Sequence, residues 1–367
     1  MHRGAPLVLV VSVVLHLAAM RSSHAFGPYP APFPIGVSGL FAGHSFFAPV
    51  AGDFSTIALA NGYVDHSADI VISGAQSGSP RRLWENATKR NEIIGHLDDR
   101  DIDLFGLTVY SEEDSSFEDY ARWFDEALKH NPDTQFLVGH PQTPQGAVTP
   151  SVLYDTLTEE LGAQTFQIVK QLRAAYPNNP VHFIHYGKVA TEMKHRYDAG
   201  ELPDVLSLLP DEELMIGPSD AMFTDIDPGH GGPMIKELGA LSWMSLLYGA
   251  DVASLDYTEY QSDVEGIIAD VTAFNEQFRA TVVGDYNADG TVDAADYTRW
   301  RDALGQEGVG LPADGNGDSQ VTAADYALWR ENLGATVQPP PLSASVPEPS
   351  SMVVAVLLIA VSCARRV

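Results

Sequence analysis

Residues 26–280 alternate short apolar runs with segments of helical periodicity, and few architectures accept that order. Residues 35–43, 69–74, 102–109, 135–139 and 181–186 are near-continuous apolar stretches of strand length. Between them, residues 117–128 and 165–175 space their apolar side chains three and four apart, as amphipathic helices do. Strands apolar on both faces, separated by helices, predict a parallel sheet covered on each side, an α/β fold of three layers. Reactive groups in such sheets gather at the carboxyl ends of the strands.

Three pieces of sequence fall at those ends. The first run closes in Gly43-His44-Ser45-Phe46-Phe47, presenting a serine at a strand-to-helix turn. The second closes in Ser73-Gly74, where backbone can approach a ligand. Late in the domain comes Asp225-Ile226-Asp227-Pro228-Gly229-His230. An aspartate three residues before a histidine can orient the imidazole toward a serine elsewhere in the fold, as nucleophilic catalysis requires. Asp227 has that spacing; Asp225 is a rival whose five-residue separation fits it less well. His140 follows another strand and is a candidate to line the cleft. His182 and His185 lie three apart on a strand, on opposite faces, which argues against a shared metal. The acidic stretch 111–119 reads as a solvated loop and helix start.

These motifs resemble the SGNH (GDSL-like) hydrolases. Gly43-His44-Ser45 matches the serine block with His44 in place of the usual aspartate, Gly74 matches the glycine block, and Asp227-Pro228-Gly229-His230 matches the Asp-x-x-His block. The resemblance implies a flavodoxin-like αβα fold, with Ser45 as nucleophile, His230 as general base and Asp227 as its orienter. It also implies backbone N–H groups of Ser45 and Gly74 as oxyanion donors. One block departs: Gly106-Leu107-Thr108-Val109 places Thr108 where the family has an asparagine donor. Losing one such donor costs about 10²–10³ in turnover unless it is replaced, by the Thr108 hydroxyl or by an amide from another loop.

A second pattern is duplicated 29 residues apart. From Asp285, oxygen ligands fall at loop positions 1, 3, 5, 9 and 12, as Asp285, Asn287, Asp289, Asp293 and Asp296, with the Thr291 carbonyl at position 7. From Asp314 the set is Asp314, Asn316, Asp318, Thr322 and Asp325, with the Gln320 carbonyl. That alternation is a calcium loop, so two Ca²⁺ sites are expected. Position 6 is Gly290 in the first loop and Ser319 in the second, which predicts weaker binding by the second. Each loop runs into one short helix. A duplicated loop-plus-helix unit of this kind resembles a type I dockerin, here a small all-α module over 281–336, and implies a cohesin-like protein partner.

Both ends of the chain read as addresses. Arg3, the apolar run 5–19 and Ser23-His24-Ala25 form a signal peptide over 1–25. After a linker at 337–345, residues 346–367 run Val346-Pro347-Glu348-Pro349, a short apolar helix, then Arg365-Arg366. That order resembles the PEP-CTERM sorting signal, implying membrane docking and delivery to the surface or matrix of a Gram-negative-type bacterium. Cys363 is the single cysteine, which excludes a disulfide scaffold or a cysteine-built zinc site. The net charge is −28, and it excludes a nucleic-acid binder. Of that charge, 26–284 holds 38 acids against 14 bases, and 285–336 holds 10 against 3.

The sequence therefore predicts an exported serine esterase removing acetyl or similar esters, plausibly from polysaccharide. Its rivals are a surface protein that keeps the fold without turnover, and a purely structural calcium-stabilised envelope component.

Overall fold

The structure, a computed structural model, describes residues 33, 36–110, 115–176, 178–278, 282–287, 290–308 and 311–336. The signal segment, the linker, the sorting segment and Asp289 lie outside those residues. Among the described residues no helix is long and apolar enough to cross a membrane.

Five strands form one parallel sheet: β1 (Ser38–Gly43), β2 (Ser67–Ile72), β3 (Leu104–Thr108), β4 (Gln135–Gly139) and β5 (Val181–Ile184). Their spatial order is β2-β1-β3-β4-β5, the flavodoxin-like order of doubly wound sheets. The crossovers are α1 (Ala48–Ala60), α2 (Pro80–Glu85) with α3 (Ala87–Asp99), α4 (Phe117–His130) and α5 (Ser151–Ala175). After β5 come α6 (Lys188–Ala199), α7 (Pro233–Tyr248) and α8 (Val264–Asn275). The helical pattern at 165–175 is thus the second half of a longer helix.

Strand periodicity sorts the core into two layers. Phe41, Leu104 and Leu137 pack with α1, α6, α7 and α8 on one face, while Leu40, Phe105, Phe136 and Val138 pack with α2–α5 on the other. In α4, Tyr120, Trp123, Phe124 and Ala127 are buried at helical spacing. A capping box, in which Asp119 accepts from the Ser116 N–H at 2.9 Å, starts that helix.

Glycines at the strand ends shape the region around Ser45. A Cβ at Gly43, Gly106 or Gly139 would come within 2.8, 3.3 and 2.6 Å of the Phe47 side chain. Three neighbouring strands thus leave a space that Phe47 fills completely. Burial of a phenylalanine stabilises by about 1.5–3 kcal/mol, and here it anchors the turn carrying Ser45.

The C-terminal unit closes on itself. Each calcium-type loop leads into one helix, α9 (Ala294–Ala303) or α10 (Ala323–Glu331). Val292 exchanges backbone hydrogen bonds with Gly334 and Ala335, and Val321 does the same with Gly305 and Gln306, the positions 29 residues away. Trp300 donates its indole N–H to the Thr322 carbonyl and Trp329 to that of Asp293, each at 2.7 Å. The duplication in sequence is a two-fold exchange of contacts in space. The unit rests on α5, where Lys170 donates to the Leu311 carbonyl at 2.6 Å and Gln171 to the Gly317 carbonyl at 3.5 Å.

Candidate active site and calcium loops

The β1–α1 turn presents Ser45 at the carboxyl edge of the sheet. The turn is held by N–H groups of Phe47 and Ala48 donating to the His44 carbonyl, each at 3.0 Å. His44 itself is buried and bridges two strands: Nε2–H donates to the Val109 carbonyl at 2.8 Å, and Nδ1 accepts from the Phe46 N–H at 3.2 Å. Burial is the main cause that pulls its pKa down to about 4, so it is neutral near pH 7. His44 is therefore a strand tie that orients the serine turn.

Ser45 Oγ donates to His230 Nε2 at 2.7 Å. His230 Nδ1–H in turn donates to Asp225 Oδ2 at 2.7 Å. The order serine, imidazole, carboxylate is that of a nucleophile, its general base and the group that fixes the base's tautomer. Such an arrangement can draw the proton from Ser45 as its oxygen attacks an electrophilic carbon.

The orienting carboxylate differs from the expectation. Asp227 is exposed and no hydrogen bond joins it to His230, whereas Asp225 sits beneath the loop. Asp225 Oδ1 accepts from the N–H groups of Gly229 and His230 at 2.8 and 3.1 Å, which leaves Oδ2 for the ring. The loop turns through Gly229 at φ 91° and is closed by a bridge between Phe223 and Gly231. The turn folds the five-residue spacing back on itself, so the nearer aspartate in sequence is the farther one in space. Burial alone would raise the Asp225 pKa, but the hydrogen bonds from His230 and from the two backbone N–H groups hold it below the usual carboxylate value.

Thr108 also departs from its expected place. It is fully buried and its hydroxyl donates to the Gly139 carbonyl at 3.0 Å, inside the sheet. A threonine is too short to reach past the strand end, and β4 offers it a nearer acceptor. The N–H groups of Ser45 and Gly74 make no backbone hydrogen bond among the described residues, and Gly74 is exposed. His140 does not line the cleft: it is buried, bonded to Thr165 Oγ1 at 3.1 Å and packed 4.5 Å from the His185 ring. His182 and His185 bond in different directions, to Gln135 and to the Thr158 carbonyl.

A pocket of about 350 Å³ including its mouth opens beside Ser45, lined by His44, Phe46, Ala75, Tyr110, Pro141, Gln142, Pro144 and Pro228. A larger cavity of about 480 Å³ lies between α5 and the C-terminal unit and holds no nucleophile–base pair. Gln142 is a polar pocket residue with no signal in the sequence to single it out. Its amide has no motif around it, and only the fold brings the loop after β4 to Ser45.

In the two loops, Asp285, Asp296, Asp314 and Asp325 are all buried. Asp285 accepts from the Gly290 N–H at 2.8 Å and Asp314 from the Ser319 N–H at 2.9 Å, equivalent contacts from position 6 to position 1. Asp296 accepts from the N–H groups of Tyr286 and Asn287, and Asp325 from those of Gly315 and Asn316. Among the described residues no three acidic or histidine side chains form a metal-holding group, with Asp289 outside them. Pairs of buried carboxylates supplemented by backbone carbonyls nonetheless suit a hard, oxygen-seeking cation. Burial pushes the Asp314 carboxyl above its ordinary value, the cost that such a cation would remove.

Residues 283–334 match the dockerin type I domain. Type I dockerin domains bind calcium, occur in extracellular or cell-surface proteins and attach them to a cohesin partner. The match supports attachment of this chain to a cohesin partner in an extracellular complex. No curated protein and no solved structure matches the chain.

Proposed function

We propose that residues 26–280 are an SGNH-type serine esterase, carried into an extracellular complex by its dockerin. The observation behind this reading is the unbroken Ser45–His230–Asp225 chain at the carboxyl edge of a flavodoxin-order sheet. Ser45 Oγ would attack the ester carbonyl while His230 takes its proton. His230 would return that proton to the departing alkoxide, leaving an acyl-serine that water hydrolyses by the same route in reverse. Asp225 would stay ionised, holding the imidazole and stabilising its charged form. An acetylated polysaccharide is the substrate class that suits a small pocket and a dockerin-borne enzyme. Both dockerin loops would hold Ca²⁺, and residues 346–367 would dock the chain at the membrane for sorting.

A second reading, a surface protein without turnover, has one observation in its favour: the Thr108 hydroxyl is committed to the sheet. Hydrolysis of aryl acetates and acetylated glycans by wild type, Ser45→Ala, Asp225→Asn and Asp227→Asn separates the two. Ser45→Ala should fall to background, Asp225→Asn should lose about 10⁴ in kcat, and Asp227→Asn should stay within a few-fold of wild type. Wild type no faster than Ser45→Ala would sink the esterase.

A further inference from the structure

We propose that Gln142 supplies the side-chain hydrogen bond to the substrate's reacting carbonyl oxygen, the donor that Thr108 does not provide. The inference rests on the serine-esterase reading and deepens its site. Gln142 follows β4, two strands from β1, and its residue is only 4 % exposed. Its side chain lines the pocket that opens on Ser45. Among the described residues no hydrogen bond to that side-chain amide is present, and the amide is not one of the fully enclosed unsatisfied groups, so it keeps access to the pocket.

Of the other polar side chains at the pocket, His44 and Ser45 are already committed. His44 bonds Val109 and Phe46, and Ser45 bonds His230. Tyr110 packs edge-on against the His44 ring and is less buried than Gln142. The backbone around Gln142 is fixed by close packing: a Cβ at Gly187 would lie 2.3 Å from the Gln142 nitrogen. The Gln142 Nε2 lies 3.7 Å from the point a Gly231 Cβ would occupy, which sets the amide beside the histidine loop. The rest of the lining is mainly apolar, three prolines and Phe46, so water competes poorly for the amide and the hydrogen bond acts in a low dielectric. An N–H donor there would stabilise the charge that develops on the carbonyl oxygen as Ser45 adds to the carbon.

The test is steady-state hydrolysis of an aryl acetate by the full calcium-loaded chain, comparing wild type, Gln142→Met, Gln142→Glu, Tyr110→Phe and Ser45→Ala. Gln142→Met keeps length without a donor, and Gln142→Glu keeps shape. Both should melt with wild type and lose about 10²–10³ in kcat with KM within a few-fold. Wild-type kcat in both variants, a loss confined to KM, or a loss confined to Tyr110→Phe overturns the proposal while leaving the serine chemistry in place. Should Gln142→Met fail to fold, Gln142→Glu decides alone. Wild type equal to Ser45→Ala removes the esterase reading and this proposal together.

Discussion

The two folded units of this acidic chain solve the problem of an interior in opposite ways. The α/β domain fills its centre with hydrocarbon and aromatic rings, and the histidines it buries are kept neutral. Among the described residues the dockerin's buried apolar cluster is small, Tyr286, Ala313 and Val321 with Trp300, Ala303, Leu311 and Trp329 packed against it, and the unit also buries four aspartates. Burying carboxylates is unfavourable by several kcal/mol each without a compensating cation. The first unit therefore has an interior of its own, whereas the second borrows part of its interior from the solvent as an ion. A folded domain under about 60 residues commonly needs such a staple.

The largest effect that tests this contrast is metal removal. Excess chelator should unfold the dockerin and leave the α/β domain folded. The expected signs are loss of the helical signal of α9 and α10 and proteolytic cleavage within 285–336, with the thermal transition of the domain retained. Resistance of both units to chelator and protease would mean that the carboxylate interior is stable without a cation.

Acid probes the other interior. Burial holds His44, His66 and His185 at a pKa of about 4, His182 at about 3, and His140 well below its ordinary value. Between those values and the ordinary 6.5, the unfolded chain binds protons that the folded domain does not. Stability is then complete above about pH 6.5 and falls as pH drops toward 4, by up to about 1.4 kcal/mol per unit for each such histidine. Asp119, Asp155, Asp204 and Asp225 have lowered pKa values and add their loss only below about pH 4. Urea unfolding of the full chain in chelator should show a midpoint that declines steadily from pH 6.5 to 4.5. A flat midpoint over that range would show that these imidazoles are not buried in the neutral form.

Much of this was legible in the chain, for identifiable reasons. Strand positions are legible from apolar runs most clearly in the central strands, which are covered on both faces. Leu104-Phe105-Gly106-Leu107 sits buried throughout in β3. The dockerin is legible because its duplicated loop spacing is itself the mark of the domain. Ser45 and His230 are legible as motif members, whereas the carboxylate bonded to His230 is Asp225 and not Asp227, because sequence distance does not report the turn at Gly229. Thr108 and Gln142 were misread or missed for a common reason. Whether a polar side chain meets a backbone carbonyl or a pocket is decided by neighbours far away in sequence, here Gly139 and Ser45.

The smallest effect divides the dockerin internally. Position 6 of each loop adopts positive φ, 86° at Gly290 and 66° at Ser319. Glycine adopts that conformation freely, while serine is strained there by about 1 kcal/mol. The Lys170 ammonium also lies close enough to feel Asp314 and Asp325, a like charge to any cation entering the second loop. Both effects would weaken calcium binding at the second loop. Ser319→Gly removes only the strain, so it should tighten calcium at the second loop about fivefold and leave the first unchanged. Gly290→Ser should weaken the first loop by a similar factor. Calorimetric calcium titration of the two variants reads both. A second loop that binds no more tightly as Ser319→Gly would place the difference between the repeats in the Lys170 charge instead of in the turn.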